Sequence, residues 1–343
     1  MLITRRRLLA AAATACAAVP ARAGTGSGGG PVIEPLTASS LSGTRYARLA
    51  NPGPAGTPIP TEAEIAPGLK VRCYIPSGIR TPGTVIFSHA EMGSPQVYDR
   101  MLAHWASHGF AVFAPVHDDS IQAGGAIKAL RGASWDIATL AGDQPTWQNR
   151  VAQCAGVLDA LPGISESTRI RFRTGRPIIA GHSLGAFTAQ ALLGAAPAMA
   201  DGTTMAAADP RLAGGIFLSP QGAGAMGLSA DSWSGMARPL LAVTGNGDAD
   251  GGVQQDPDGK IDAFKLSPPG DKHLAWFAAI SNGVYTCQQV AAGTPRALSI
   301  QDLLSVTTAF LKACGDGDPD ESADLSGDYY TRMTSSRITM YFR

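Results

Sequence analysis

The chain has 343 residues, of which 45% are hydrophobic and only 16% are charged, and its 27 basic residues balance its 27 acidic ones. This neutral charge excludes a strongly basic nucleic-acid-binding protein, and the hydrophobic content excludes global disorder. The length fits one large α/β domain or two ordinary ones. No apolar stretch reaches about 18 residues, so the sequence predicts no transmembrane segment.

The first 23 residues predict a signal for export from a bacterial cytoplasm. They combine the basic run Arg5-Arg6-Arg7, a short alanine-rich apolar segment and the small-residue cleavage site Ala21-Arg22-Ala23. The adjacent arginines before two leucines are typical of the twin-arginine route, and a plain Sec signal is the alternative. Cys16 lacks the leucine of a lipobox, which disfavours a lipid anchor. Removal of the four arginines in this peptide leaves 23 basic and 27 acidic residues, so we expect an acidic periplasmic or secreted protein.

After this signal, the chain is predicted to contain a flexible Gly-rich linker at 24–45, an α/β domain at 46–315 and an acidic tail at 316–343. Short apolar strands alternate with amphipathic helices, which indicates a mostly parallel sheet with helices on both faces. The predicted strands are 71–75, 84–88, 111–115, 177–180, 215–218, 240–244 and 274–279, and the predicted helices are 97–107, 148–161, 186–195 and 300–312. The tail is expected to be a loop, followed by an ordered segment at 337–342.

One motif predicts a catalytic nucleophile. Residues Gly181-His182-Ser183-Leu184-Gly185 form a Gly-x-Ser-x-Gly sequence between a predicted strand and a predicted helix, which is the setting of a nucleophile elbow. In such a tight turn the serine hydroxyl is lifted clear of the sheet. The backbone N–H of Leu184, at the start of the helix, could stabilise an oxyanion.

These residues belong to a longer series of ordered blocks through which the chain resembles the α/β-hydrolase superfamily. Within it, the chain is similar to exported bacterial esterases related to platelet-activating-factor acetylhydrolases, dienelactone hydrolases and cutinase-like polyester hydrolases. The resemblance covers about residues 65–315, and its blocks are Phe87-Ser88-His89-Ala90-Glu91-Met92-Gly93-Ser94, Ala106-Ser107-His108-Gly109-Phe110, Ala114-Pro115-Val116-His117, Val157-Leu158-Asp159-Ala160-Leu161, the serine motif, Leu218-Ser219-Pro220-Gln221-Gly222, Thr244-Gly245-Asn246-Gly247-Asp248 and Pro268-Pro269-Gly270-Asp271-Lys272.

The resemblance implies an α/β-hydrolase fold and a serine hydrolase that acts on small or polymeric carboxylic esters. Ser183 would be the nucleophile, and the N–H groups of Glu91 and Leu184 would bind the oxyanion. Asp248 follows a buried strand and would be the triad acid, with Asp250 as the alternative. No cofactor is implied, and the sequence does not indicate the oligomeric state.

The chain departs from this pattern at the catalytic histidine. The resemblance implies a histidine after the last predicted strand, where this chain has Asn282, which cannot take a proton from Ser183 near neutral pH. His89 and His117 each follow a strand and are possible replacement bases, although similar proteins have histidines there that look structural. His273 precedes the last strand, about 20 Å from the expected catalytic end.

A second departure concerns Glu91, where similar proteins have small residues and glycine. Its carboxylate would oppose a developing negative charge unless it turned away or bound a cationic group. The sequence therefore favours two hypotheses, namely an exported ester hydrolase and a non-catalytic binding protein on the same scaffold.

Four cysteines follow the predicted signal, and export permits disulfide bonds. Cys287 and Cys314 flank the last predicted helix, so a bond between them is expected, with buried free thiols as the alternative. No Cys/His group has the spacing of metal ligands, which predicts no metal site.

Residues 256–262 predict a solvated turn rather than a calcium loop. The long loops at 116–146 and 221–237 carry Trp135, Trp147, Met226 and Trp233, and they could form a cap or acyl pocket or simply pack as loops.

Overall fold

The computed structural model describes residues 41–123, 142–249 and 257–343. The predicted export signal and most of the predicted linker lie outside these residues. The described strands are β1 (Thr61–Ala66), β2 (Leu69–Tyr74), β3 (Gly83–Ser88), β4 (Phe110–Pro115), β5 (Ile178–His182), β6 (Gly214–Leu218), β7 (Leu240–Gly245), β8 (Lys272–Phe277) and β9 (Ile338–Phe342).

The described α-helices are α1 (Arg45–Ala50), α2 (Asp99–Ser107), α3 (Gln144–Thr168), α4 (Leu184–Leu193), α5 (Asp262–Leu266), α6 (Asn282–Tyr285), α7 (Pro295–Phe310), α8 (Pro319–Leu325) and α9 (Tyr329–Met333). Short 3-10 turns occur at Pro95–Tyr98, Ile121–Ala123 and Gly259–Ile261, and a π-helical turn, Leu311–Asp316, extends α7. Among the described helices, none is both long enough and apolar enough to cross a membrane.

The described strands form one sheet in the order β1-β2-β4-β3-β5-β6-β7-β8-β9. The six central strands, from β4 to β8 in this order, pair in parallel, whereas β1, β2 and β9 are antiparallel to their neighbours. The predicted mostly parallel sheet is thereby confirmed. The strands β3, β4 and β7 are mostly apolar runs because every residue in them is buried on one face or the other.

Helices cover both faces of this sheet. In β3, Val85 and Phe87 point into a core shared with α2 and α7, whereas Ile86 between them points into a core shared with α3 and α4. This alternation follows from the two-residue period of a strand. Because the central strands are parallel, all six end at one edge of the sheet, which we call the carboxyl edge.

The C-terminal tail differs from the predicted loop. Residues after Cys314 form α8 and α9, and β9 then pairs antiparallel with β8, so that Ile338 lies opposite Phe277. Asp318 caps α8 by accepting hydrogen bonds from the N–H groups of Asp320 and Glu321. The acidic residues that predicted a loop therefore lie at the N-terminus of a helix, where carboxylates are stabilising.

The predicted disulfide is absent, because Cys287 and Cys314 are both free and buried in the structure, as are Cys73 and Cys154. Cys287 follows α6 on the carboxyl-edge side of β8. The sixteen residues of α7, about 24 Å of helix, then carry the chain back to Cys314, which lies beside Gly214 at the start of β6. A disulfide requires Cα atoms within about 7 Å, so the two cysteines cannot pair across this helix.

Candidate active site

Ser183 stands in a strained turn at the carboxyl edge, between β5 and α4. Its backbone has φ 53° and ψ −120°, a conformation that side-chain-bearing residues rarely adopt. The backbone N–H of Ser183 donates to Leu218 O at 3.0 Å, which ties the turn to the end of β6. The residue is 2% exposed, and its hydroxyl makes no hydrogen bond with any group in the part of the chain that the structure describes.

Two glycines allow this turn to form. A Cβ atom at Gly181 would lie 2.1 Å from Gly185 O, and one at Gly185 would lie 2.0 Å from Ser88 O. Both distances are far below van der Waals contact with backbone atoms that cannot move aside. The flanking glycines of the motif therefore permit close packing of α4 against β5 and β3.

The Glu91 side chain reaches the position where an oxyanion is expected. Its Oε2 atom accepts the N–H of Leu184 at 3.2 Å, next to Ser183 and at the N-terminus of α4. The backbone N–H of Glu91, the second predicted oxyanion donor, makes no hydrogen bond within the described residues. The structure thus brings both predicted donors to the same side of the elbow, and one of them is occupied by a half-buried carboxylate.

A buried arginine holds the loop that carries Glu91. Arg150, on α3, is 1% exposed and makes a bidentate ion pair with Asp119, in which Nε donates to Oδ1 at 2.9 Å and Nη2 donates to Oδ2 at 2.7 Å. The same guanidinium donates to the carbonyls of His89, at 2.6 Å, and Ala90, at 3.2 Å. Asp119 in turn accepts the N–H of Met92, whose φ is 51°. These bonds hold the backbone on both sides of Glu91, so rotation of its side chain is the simplest movement of its carboxylate.

Asp248 lies where the sequence places a triad acid, after β7, and it is 1% exposed. Its Oδ1 accepts the Ser219 hydroxyl at 2.9 Å, and its Oδ2 accepts the hydroxyls of Thr244 and Tyr285 at 2.8 and 2.7 Å. Three of its roughly four acceptor positions are thus occupied by hydroxyl groups. The Asp250 alternative lies outside the described residues.

Lys260 completes this polar cluster and was not anticipated from the sequence. It is fully buried, and its Nζ donates to Ser219 Oγ at 2.8 Å, so one hydroxyl links the ammonium to the Asp248 carboxylate. The predicted solvated turn at 256–262 is therefore wrong from residue 259 onward, because Gly259–Ile261 is a 3-10 turn that directs this lysine inward. Gly222 packs against Gly259 O so closely that a Cβ atom would lie 1.8 Å away.

Asn282 is brought to the same corner of the carboxyl edge. It is the first residue of α6, and its side chain lies outside what the structure describes. The loop before it packs on the turn after β7, since the N–H of Ile280 donates to Asn246 O at 2.9 Å. Tyr285, in the same short helix, reaches Asp248, so the structure places Asn282 on an element that contacts the acid.

His89 and His117 use their ring nitrogens elsewhere. His89 Nδ1 donates to Ala90 O at 2.7 Å, and its Nε2 accepts the N–H of His117 at 3.2 Å. His117 Nδ1 donates to Gln153 Oε1 at 2.7 Å, and its Nε2 accepts the Ser88 hydroxyl at 2.8 Å. Burial, followed by the charge of Arg150, lowers the pKa of His89 to about 3 and the pKa of His117 well below 6.5. Both rings are neutral, and each has its lone pair engaged by a group other than Ser183, which speaks against either as a replacement base.

None of the other histidines is hydrogen-bonded to Ser183 in the described residues, although His182 Nε2 and His273 Nδ1 are buried there without a hydrogen-bond partner. His182 Nδ1 pairs with the Tyr98 hydroxyl at 2.7 Å, and burial lowers the pKa of His182 to about 3. His104 and His108 bond backbone carbonyls of residues 49 and 51, at the far end of α2. His273 is the second residue of β8 rather than preceding the strand, and it lies at the edge opposite the carboxyl edge.

Comparison with known proteins finds no family model that matches this chain and no curated protein that is significantly similar to it. In the described ranges, no group of three or more His, Cys, Asp or Glu side chains could hold a metal ion.

Of the tryptophans predicted in the long loops, Trp135 lies outside the described residues. Trp233 is buried against α4 and donates to Gln190 Oε1 at 2.7 Å, so the 221–237 loop is partly built into the core on this face.

This corner of the carboxyl edge therefore contains a serine with a strained backbone, two backbone N–H donors and two carboxylates. Within the described residues, no imidazole nitrogen is hydrogen-bonded to Ser183. Such a set can bind a carbonyl carbon and oxygen in attack geometry, but proton removal from Ser183 has no side-chain base of the usual kind.

Proposed function

We propose that this chain is a carboxylic-ester hydrolase of the α/β-hydrolase fold, in which Ser183 is the nucleophile. The observation that carries the proposal is the left-handed backbone of Ser183 at the junction of β5 and α4. A strained conformation at one buried serine is costly, by about 1–3 kcal/mol, and is commonly retained where the side chain reacts. The placement of Asp248 after β7 and the ordered sequence blocks add support.

In the proposed reaction, Ser183 Oγ attacks the ester carbonyl and its proton passes to water. The developing oxyanion is bound by the N–H groups of Glu91 and Leu184, once the Glu91 carboxylate has left the latter. The carbon–oxygen bond to the alcohol then breaks, and the leaving alkoxide takes a proton back from water to become the alcohol. A second water then hydrolyses the acyl-serine, which releases the carboxylic acid and restores the Ser183 hydroxyl. Since a positioned base contributes about 10²–10⁴-fold, we expect turnover slower than that of a complete triad by this factor.

The test is labelling by a fluorophosphonate probe, with the modified peptide identified by mass spectrometry. We expect the label on Ser183 and none in Ser183→Ala, together with slow hydrolysis of p-nitrophenyl butyrate that Ser183→Ala abolishes. Ser219 is the internal reference, because it is also buried at the carboxyl edge with a positive φ of 52°. Label on Ser219, or none at all, contradicts the proposal.

A second candidate function is a ligand-binding protein without turnover on the same scaffold. The observation that favours it is the Glu91 carboxylate on the Leu184 N–H, because this contact blocks an oxyanion in the absence of ligand. The presence of Asn282 instead of histidine agrees with it. Binding of an ester without labelling or hydrolysis would favour this candidate over the first.

A further inference from the structure

Among the described residues, each charged side chain named around the proposed site has a charged partner or several polar contacts, with the exception of Glu91. Asp119 is paired with Arg150, and Asp248 accepts three hydroxyls and is linked to Lys260 through Ser219. Glu91 has a single polar contact, the Leu184 N–H, and it forms no ion pair with the described residues. A half-buried carboxylate that has no ion-pair partner among the described residues therefore lies on the backbone N–H next to Ser183.

This carboxylate restricts which ligand can bind. A neutral ester must displace it from the Leu184 N–H, and the displaced charge must then stay close to a developing oxyanion, which it repels. A ligand with a positive charge removes both penalties, since it pairs with Glu91 and leaves the N–H to the carbonyl oxygen. The backbone of the loop is held by Arg150 and Asp119, so the exchange needs only rotation of the Glu91 side chain.

We propose that Glu91 is a specificity-determining residue that selects cationic esters, that is, esters with an ammonium group within a few bonds of the carbonyl. The identity of the ligand as an ester rests on the proposed function. The selection for positive charge rests on the position and isolation of the Glu91 carboxylate. A cationic ligand pairs with this carboxylate and uncovers the oxyanion donor, whereas an uncharged ligand of the same shape must displace the carboxylate without a compensating contact.

The test measures binding without turnover, in the Ser183→Ala variant of the full chain. Calorimetry compares butyrylcholine with 3,3-dimethylbutyl butyrate, in which a carbon replaces the charged nitrogen at nearly the same volume. We expect butyrylcholine to bind about tenfold more tightly, the size of one charge-assisted contact, and we expect this preference to fall as salt increases.

Two further variants, made in the Ser183→Ala background, identify the responsible group. Glu91→Gln is expected to reduce the preference to less than about twofold, because the amide is similar in shape but uncharged. Glu166→Gln, an exposed glutamate on α3, removes the same charge elsewhere and should leave the preference unchanged. Equal binding of the two esters, no binding of either, or a preference that survives Glu91→Gln overturns the inference.

These outcomes are separable from those of the proposed function. If a fluorophosphonate fails to label Ser183 but the charge preference depends on Glu91, hydrolysis is refuted and cation selection stands. If Ser183 is labelled and both esters bind equally, hydrolysis stands and cation selection is refuted.

Discussion

Replacement of Arg150 by methionine tests whether the buried guanidinium holds the loop that carries Glu91. The change leaves the Asp119 carboxylate and the carbonyls of His89 and Ala90 without their donor in a site where Arg150 is 1% exposed. Removal of one partner from a buried ion pair costs about 3–5 kcal/mol, because the remaining charge is left uncompensated. We expect a loss of this size in the free energy of unfolding, measured by urea denaturation.

The matched control is Arg332→Met. Arg332 pairs with Asp328 one turn away on the surface, with side chains 60% and 68% exposed. Such pairs contribute about 0.3–0.5 kcal/mol, so the control should be close to wild type. A double variant, Arg150→Met with Asp119→Leu, should recover part of the lost stability because no charge stays buried. We expect the fluorophosphonate probe to label Ser183 more slowly in both the single and the double variant than in wild type, because the carbonyls of His89 and Ala90 no longer accept hydrogen bonds from Arg150.

The effect should depend on pH in a defined direction. Burial would raise the pKa of Asp119, but the charge and hydrogen bonds of Arg150 outweigh it and hold the pKa below its ordinary value of 3.8. A lowered pKa in the folded state contributes stability above the unfolded-state pKa and loses it as the pH falls through the folded-state value. The difference between wild type and Arg150→Met should therefore shrink below about pH 4. If Arg150→Met lowered the free energy of unfolding at pH 7 by less than about 1 kcal/mol, as Arg332→Met should, the reasoning would be refuted.

Three other changes have defined outcomes. Ser183→Gly should be more stable than Ser183→Ala by about 1 kcal/mol in urea unfolding, because glycine adopts φ 53° without strain; equal stabilities would mean that the turn is not strained. Burial, together with Asp324 and Asp318, raises the pKa of Glu321 from 4.5 to about 7, so its ionisation should reduce stability between these pH values. Glu321→Gln should consequently exceed wild type in stability at pH 8 and not at pH 4, and the opposite order would refute the cause. The four described cysteines should react with a thiol reagent only after unfolding, because burial raises the pKa of each to about 12; a melting temperature lowered by reductant would instead indicate a disulfide.

The central sheet could be predicted from the sequence because its strands are buried on both faces. Runs such as Gly83–Ser88 and Leu240–Gly245 are short, continuous and apolar, which distinguishes them from the longer amphipathic helices. The edge strand β1 was missed because Glu62 and Glu64 alternate with less exposed residues, and no apolar run forms. The helix predicted to end at Leu161 continues through Pro162 to Thr168, since α3 keeps its packing beyond the proline.

The polar contacts of the site were less accessible to sequence reasoning. Ser183, Gly181 and Gly185 occur in one motif with a defined spacing. The cluster of Asp248, Ser219, Lys260 and Tyr285 comes from four segments with no shared spacing, and only the packing of the turns after β6 and β7 brings it together. The sequence did indicate that a carboxylate at position 91 conflicts with an oxyanion. That this carboxylate bonds the Leu184 N–H depends on a side-chain rotation that no pattern encodes.

The wrongly predicted disulfide has a topological cause. Cys287 and Cys314 flank α7 in the sequence, and this sixteen-residue helix runs from the carboxyl-edge side of β8 back to the start of β6. Residues at opposite ends of such a helix lie far apart in space, whatever their redox environment.

The most direct test of the account is the mass of the intact protein during reaction with p-nitrophenyl butyrate. Because no imidazole nitrogen within the described residues is hydrogen-bonded to Ser183, we expect deacylation to be slow and a butyryl group to accumulate on Ser183 in stoichiometric amount. Ser183→Ala should show no adduct. Absence of an adduct in wild type, without release of p-nitrophenol, would contradict a nucleophilic Ser183. Rapid multiple turnover without an adduct would contradict the absence of a base.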